Sequence, residues 1–425
     1  ERHTAVLLDC NDPEAMKVYE GSLRYLAGMA LERIRPDLKV IISYAVSRSL
    51  FLRFEKRNNG ELVVADVKLK KALLHEMRTI VKADYPIAKK TVGKYEALKL
   101  YAKLGAADRI EALSYRPEET VHLYFCDGYI DYPYCYMVPT MGALSHFRLT
   151  LMKPGMVLSY PRYDSGGKIP PLDPDHSYAR ALRKNLEWAQ CAGLDTIAKV
   201  NKTLAEYGAV TLTSMCEAYI DRQMSLLGES IQKRGRKLKL ICIAGPSSSG
   251  KTTFAKRLKT YLMSLGMRPI RISLDDYYLP KSRIPVGSDG KRDLESIKAL
   301  DIARFDADIS SLASGKPTRL PQYDFTTGNG DSFRTVTLPK GEPVIVEGIH
   351  ALSPDLDPEI AREEKFGIFI SPQAQVSIDD HNPMSLTDTR LIRRIVRDSL
   401  TRNTSAAETI TMWPAVRRGE FEHIY

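Results

Sequence analysis

The apolar run Leu240-Ile-Cys-Ile-Ala244 leads straight into Gly245-Pro-Ser-Ser-Ser-Gly-Lys-Thr-Thr253, which fits the pattern GxxxxGK[ST]. Nothing else in the chain constrains its fold as much, because a strand, a glycine-rich turn and a helix must follow one another for a backbone to wrap a phosphate. Gly245 and Gly250 allow the curl that points successive N–H groups inward, with Ser247, Ser248 and Ser249 between them. A helix starting near Lys251 adds the positive end of its dipole. Lys251 is placed to reach the β- and γ-phosphates, and the Thr252 hydroxyl to hold Mg2+. A chance Gly-Ser turn would not be followed by Phe254, Leu258, Tyr261, Leu262 and Leu265 at helical spacing. The expected ligand is a nucleoside triphosphate, ATP with Mg2+, held by Gly245, Ser247 to Lys251, Thr252 and Thr253.

A chain of 425 residues exceeds what one core organises, so about two or three domains are expected. With 44% apolar and 27% charged residues it is globular rather than disordered. No apolar run approaches a membrane span, so no membrane partner is expected. The start, Glu1-Arg2-His3-Thr4, has neither an initiator Met nor a signal-peptide pattern, and the chain reads as a piece of something longer. The six cysteines include no CxxC pair; Cys216 and Cys242 lie in apolar patterns and read as buried thiols of a cytoplasmic protein. A formal charge of +10 suits an anionic ligand and equally a modest nucleic-acid surface. A homo-oligomer stays open.

Pro161–His176, rich in proline and glycine, marks a linker or surface strap. Before it, helical spacing over Met16–Arg35 and Val67–Ala83 and strand patterns at Val40–Ser43 and Leu50–Phe54 suggest an α+β domain over 1–160. After it, Tyr178–Tyr207 and Leu212–Lys233 read as two long helices, making 161–234 a helical connector. The basic run 232–239 reads as favourable charge at a helix C-terminus, with a nucleic-acid patch as the alternative. From 235 to 425 strands and helices alternate as in a doubly wound parallel sheet, with strands at 238–244, 269–274, 343–347 and 366–371. The fold class is thus an α/β P-loop domain with a parallel sheet, preceded by an α+β domain and a helical connector.

In such sheets ligands gather at the carboxyl ends of the strands. The second strand ends in Asp275-Asp276-Tyr277-Tyr278, and a phosphoryl transfer to a hydroxyl needs a carboxylate beside the attacking oxygen. Asp275 is the candidate; Asp276 reads as a solvated or capping residue. Glu347, closing the next strand, is placed to hold Mg2+ directly or through water, against the alternative of a strand-end surface acid. Arg390, Arg393, Arg394 and Arg397 share one face of a helix from Thr387 to about Thr401. Guanidinium forks there could close over a triphosphate, where a solvated charged face is the plain alternative.

In this order, GPSSSGKTT, SLDDYY, the Asp293–Ser296 segment, PQYDF (321–325), VIVEGIH (344–350) and RLIRRIVRDSLTR (390–402) resemble the uridine-cytidine kinase branch of P-loop kinases, which also contains phosphoribulokinase. The resemblance implies an ATP- and Mg2+-dependent kinase acting on a nucleoside 5′-hydroxyl. Lys251, Asp275, Arg394 and Arg397 would be catalytic, with Asp275 the general base. Glu347 would join Thr252 at Mg2+, Glu295 would grip ribose hydroxyls, Tyr323 would contact the base and Tyr278 the sugar. Arg394, Arg397 and Arg402 would be lid arginines facing ribose and phosphate. Gly328, Thr404 and Met412 stand where that branch has base-selecting His, Arg and Gln, so the nucleobase stays open. An insertion around Ser371–Leu386, with Asp379-Asp380-His381, precedes the lid and reads as a polar loop; replacement substrate contacts or a metal site are the alternatives.

DYPYCYMVPTMGALSHFRL (131–149) resembles the second additional domain of threonyl-tRNA synthetases. In register, Pro133 and Met137 replace that family's Cys-x-x-x-His pair, and Gly21 and Tyr25 its His-x-x-x-His pair, so editing chemistry is not expected. The combination resembles a group of bacterial nucleoside kinases, whose members carry a small domain ahead of this one and continue past Tyr425. The expected partner is a small nucleoside, with nucleic acid reachable only through the first domain. Two alternatives stay open: a phosphoribulokinase-like sugar or polyol kinase, using Arg283, Lys291 and Arg292 on the acceptor's phosphate, and an ATP-switched RNA-binding protein.

Overall fold

The computed structural model describes residues 8–9, 11–172, 177–286, 292–293, 295–324, 329–356, 360–372 and 376–423. Gly328 and Lys291 lie outside them. The chain divides into two compact units: 1–209 together with 374–384, and 210–373 together with 385–425. The stretch read as a connector, 161–234, is therefore shared between the units, and part of the insertion before the lid packs with the first.

In the first unit α1 (Pro13–Ile34) starts at Asp12, whose carboxylate accepts from the N–H groups of Glu14 and Ala15. Strands β1 (Leu38–Val46), β2 (Ser49–Lys56) and β3 (Leu62–Val63) follow, then α2 (Val67–Ala83), β4 (Ala88–Gly93), α3 (Lys94–Lys103), α4 (Ala107–Ser114), β5 (Thr120–Cys126), β6 (Tyr129–Asp131), β7 (Arg148–Met152) and β8 (Gly155–Ser159). An antiparallel sheet runs β1-β2-β8-β7 with β3 on β2, and a smaller one runs β4-β5-β6. Leu50, Leu52 and Phe54 of β2 face α1 and α2, while Phe51 faces the opposite side with Leu182 and Leu186. A register shift between Ile42 and Ala45 carries β1 across the sheet, so Val40 and Ile42 join the first core and Tyr44 and Val46 the second.

Helices α5 (Ser177–Cys191) and α6 (Ile197–Gln232) come next. The break expected near 208–211 is a kink inside α6 at Gly208, φ 81°, which only glycine adopts without strain. The true interruption lies at 192–196, where Gly193, φ 67°, ends α5 and the Thr196 hydroxyl accepts the Lys199 N–H at 3.3 Å to start α6; that Gly stop and Thr cap were read through as continuous helix. Cys242 is buried as expected, but Cys216 on α6 is only half-buried.

The second unit contains β9 (Leu240–Ala244), α7 (Lys251–Ser264), β10 (Ile270–Ser273), α8 (Ile302–Ala313), the hairpin β11 (Thr318–Asp324) and β12 (Asn329–Val336), β13 (Val344–Glu347), β14 (Lys365–Phe369), α9 (Leu386–Thr401) and α10 (Ala406–His423). Its parallel sheet has the order β10-β13-β9-β14. Along β9, Leu240, Cys242 and Ala244 pack with Ile272 and Phe305, whereas Ile241 and Ile243 pack with Leu258 and Leu262 of α7. Burial on both faces explains why the strand reads as a continuous apolar run. It also brings the ends of β9, β10 and β13 together at one edge. The hairpin β11–β12 was not legible, because Pro321 interrupts its first strand. Among the described residues no helix is long and apolar enough to cross a membrane.

Candidate active site

Residues 245–250 leave β9 in a loop that only particular residues can follow. A Cβ on Gly245 would lie 2.2 Å from the Ile370 carbonyl oxygen, and Ser248 and Gly250 have φ of 58° and 95°. Lys251, the first residue of α7, donates its ammonium to the carbonyls of Gly245 at 2.8 Å and Pro246 at 3.2 Å. Burial lowers its pKa. The hydroxyls of Ser248 and Ser249 are buried without a hydrogen-bond partner among the described residues, so the cradle has polar groups that a phosphate would satisfy.

Thr252 donates its hydroxyl to Glu347 at 2.9 Å, and Arg271 pairs with the same carboxylate oxygen at 3.1 Å. Glu347 is 2% exposed, so the surface-acid alternative is set aside. Burial, then the neighbouring Asp275, raises its pKa. A hydroxyl and a carboxylate beside a phosphate cradle are the hard oxygen donors that Mg2+ takes when it keeps several waters and phosphate oxygens. The residues therefore fit the ion.

A cavity of about 670 Å³ opens from this point. Ser247, Ser248, Gly250, Lys251, Thr252 and Thr253 form one side; Asp275, Tyr278, Glu295 and Glu347 form another; Arg394, Arg397 and Arg402 close it. Asp275 stands in the 3-10 turn after β10 and makes no hydrogen bond or ion pair with another described residue. Asp276, read as solvated or capping, instead accepts the N–H of Tyr323 at 3.2 Å and so positions β11. The rings of Tyr278 and Tyr323 lie 5.8 Å apart, although Tyr323 does not itself line the cavity. Burial pushes Glu295 up to about 7, helped by Glu420 and Asp275 and opposed by Arg394. Thr404 turns back to the Asp398 and Arg402 carbonyls, and Met412 is 42% exposed. Neither they nor Arg283 and Arg292 line the cavity.

The arginine face of α9 is organised by two carboxylates that sequence reading did not single out. Asp398, 1% exposed, lies 3.2 Å from Arg394, 2.7 Å from Arg397 and 3.8 Å from Arg402. Glu420 of α10, fully buried, pairs with Arg390 and Arg417 and accepts the Ser247 N–H at 2.9 Å. Arg390 donates to the Ser247 carbonyl at 2.9 Å, Arg393 to that of Ser248 at 3.2 Å, and Arg394 to the Ser247 hydroxyl at 2.8 Å. Gly419 lets α10 approach, since a Cβ there would lie 2.3 Å from that of Glu295. The helix thus sits on the phosphate loop, and a solvated face is ruled out for Arg390 and Arg394, both buried. The one local signal for each was spacing: Glu420 stands three residues after Arg417, and Asp398 four after Arg394 and four before Arg402.

In the first unit, the two segments that carry the positions matched to the synthetase ligands lie against each other, through neighbouring residues. A Cβ on Gly21 would lie 2.1 Å from Cys135 Sγ, Ser22 Oγ accepts the Val138 N–H at 3.0 Å, and Met137 Sδ is 3.6 Å from that hydroxyl. Tyr25 donates to the carbonyl oxygen of Tyr129 at 2.9 Å. Among the described residues no group of three or more His, Cys, Asp or Glu side chains could hold a metal there or at Asp379–His381.

Residues 240–424, which carry the phosphate loop and the arginine helix, match the Phosphoribulokinase / Uridine kinase family, a likeness that supports a P-loop kinase. The chain is 28% identical over 174 residues to a uridine kinase of Deinococcus deserti, covering 41% of this chain and 75% of that one. Over 129 residues it is 33% identical to uridine-cytidine kinase C of Dictyostelium discoideum, covering 30% of this chain and only 27% of the relative. Its N-terminal region is similar to threonine–tRNA ligases, as in Syntrophomonas wolfei, with 30% identity over 115 residues, 27% of this chain and 17% of the ligase.

Proposed function

We propose that the chain transfers the γ-phosphoryl group of ATP to the 5′-hydroxyl of a nucleoside in the cytoplasm. The observation that carries this reading is the single cavity in which Lys251, Thr252 and Glu347 face Asp275, Glu295 and the arginines of α9. Lys251 and the loop amides bind and orient the triphosphate, and Thr252 with Glu347 would hold Mg2+, which screens the phosphate charge when bound. Asp275 takes the proton from the acceptor hydroxyl as its oxygen bonds to the γ-phosphorus. The bond to the β,γ-bridging oxygen breaks, and ADP leaves with those electrons. Arg394, Arg397 and Arg402 stabilise the charge developing on the transferred group and exclude water. Glu295 accepts from the sugar hydroxyls, Tyr278 lies beside the sugar, and Tyr323, its ring 5.8 Å from that of Tyr278, contacts the base. The similarity to uridine kinases supports the nucleoside class; the base itself is not specified by any residue in the cavity.

The test is ADP release with ATP and Mg2+ against ribonucleosides, deoxynucleosides and sugar phosphates. Turnover with a nucleoside set is expected. Turnover with a sugar phosphate or polyol alone would move the chain to the phosphoribulokinase side of that family. Silence with every acceptor, with ATP bound, would refute the reading.

A further inference from the structure

The segment 376–384 lies in the sequence between β14 and α9, both of the second unit, yet it is built into the first. It is held there at every step. Ser377 exchanges backbone hydrogen bonds with Asp195 and Ile197, each at 2.9 Å, and the Asp380 carbonyl accepts the Ile42 N–H of β1 at 2.7 Å. Lys39 donates to the Asp380 carboxylate at 2.9 Å. Arg24 on α1 donates to the His381 carbonyl at 3.0 Å and the Asn382 side chain at 3.1 Å, and Asn382 donates to the Tyr132 carbonyl at 3.1 Å.

His381 Nδ1 lies 2.6 Å from an Asp131 oxygen and 2.6 Å from Arg109 Nη2. Its ring occupies space that only a glycine at position 28 leaves, since a Cβ there would come within 2.9 Å of Cε1. Burial works against ionised Asp131, but Arg109 and His381 outweigh it and hold its pKa well below the usual carboxylate range. Asp379, Asn382 and Ser377 are 2%, 2% and 4% exposed. A solvated polar loop does not bury its side chains this way, nor supply a socket shaped for one imidazole.

The next residues matter. Ser385 caps α9, accepting the Asp388 N–H at 3.2 Å, only three positions after Asn382. We infer that the first unit acts as a clamp on the leading end of the arginine helix: its socket of Arg24, Gly28, Lys39, Arg109 and Asp131 holds 376–384 and thereby restrains α9 over the nucleotide. A helix whose arginines line the nucleotide cavity is tethered at one end by a buried polar network. Opening the socket loosens the helix without altering any residue of the cavity. The inference borrows from the kinase reading only the role of α9.

The test is hydrogen exchange by mass spectrometry on the full chain, a readout that needs no turnover. A chain inactive with every acceptor still decides it. Arg24→Met removes the donor to His381 and Asn382 from the socket side. Amides 376–384 and the hydrogen-bonded amides 389–396 of α9 are expected to exchange about tenfold faster, with those of β2 unchanged. Faster exchange in 376–384 with 389–396 at the wild-type rate would overturn the inference. Should Arg24→Met also speed β2, Lys39→Met, which removes a partly exposed partner of Asp380 that also lies 3.5 Å from Glu55, decides by the same two segments.

Discussion

Asp398→Asn removes one charge from beneath the arginine helix while keeping the side chain's volume. Asp398 is 1% exposed, and Arg394, whose side chain is 9% exposed, sits 3.2 Å from it. Arg397 and Arg402 also point at it, but their side chains are 33% and 34% exposed, so solvent screening discounts them. Taking one partner from a buried charged pair costs about 3–5 kcal/mol, and the two exposed arginines add little, so about 4 kcal/mol is expected. For a unit of this size that lowers Tm by about 10 °C. If half of the loss falls on the transition state, as misdirected guanidinium groups, about 2 kcal/mol is about a thirtyfold drop in kcat. ATP affinity, carried mainly by the loop amides and Lys251, should change far less. Differential scanning calorimetry and single-turnover phosphoryl transfer read the two quantities separately. A Tm within about 2 °C of wild type together with kcat within about twofold would refute the argument that Asp398 orders these arginines.

Three further outcomes follow from the same geometry. Asp275→Asn should lower kcat by orders of magnitude at nearly constant ATP affinity, and near-normal turnover would remove Asp275 from the chemistry. Glu295, with its pKa raised to about 7 from 4.5, is held protonated by the folded protein. Its contribution to stability is full below 4.5 and lost as pH rises through about 7, so wild type should lose stability relative to Glu295→Gln between those values. The acceptor KM should fall over the same upper range as the carboxylate forms, and a KM profile no different from that of Glu295→Gln would refute this role. Gly245→Ala drives a methyl group to 2.2 Å from the Ile370 oxygen and should abolish nucleotide binding, measured by a fluorescent ATP analogue.

What the sequence disclosed and what it hid differ by the range of the interactions. The loop at 245–253 was legible because its glycines, lysine and threonine act through backbone geometry within nine consecutive residues. Strands β9 and β13 were legible because burial on both faces writes a continuous apolar run, whereas the half-buried β10 and β14 were legible from the alternation of strands with helices. Asp398 and Glu420 were not, since a buried carboxylate and a solvated one look alike until the arginines that neutralise them are placed in space. The same limit hid Asp276, whose partner is the backbone of Tyr323, and the loop Asp379–Asn382, whose partners lie more than 240 positions earlier. Local polarity was read there as exposure, and long-range pairing reversed it.

Glu420 gives the last helix a meaning beyond its place in the chain. Its carboxylate balances Arg390 and Arg417 and takes the Ser247 N–H at the mouth of the phosphate loop. The loop therefore has a resident anion even before nucleotide arrives, which keeps so many inward-facing donors and cations from repelling one another. Any chain shortened to end at Thr401 would lose that anion along with α10. Its defect would surface as a misshapen nucleotide site far away in sequence, rather than as a frayed tail.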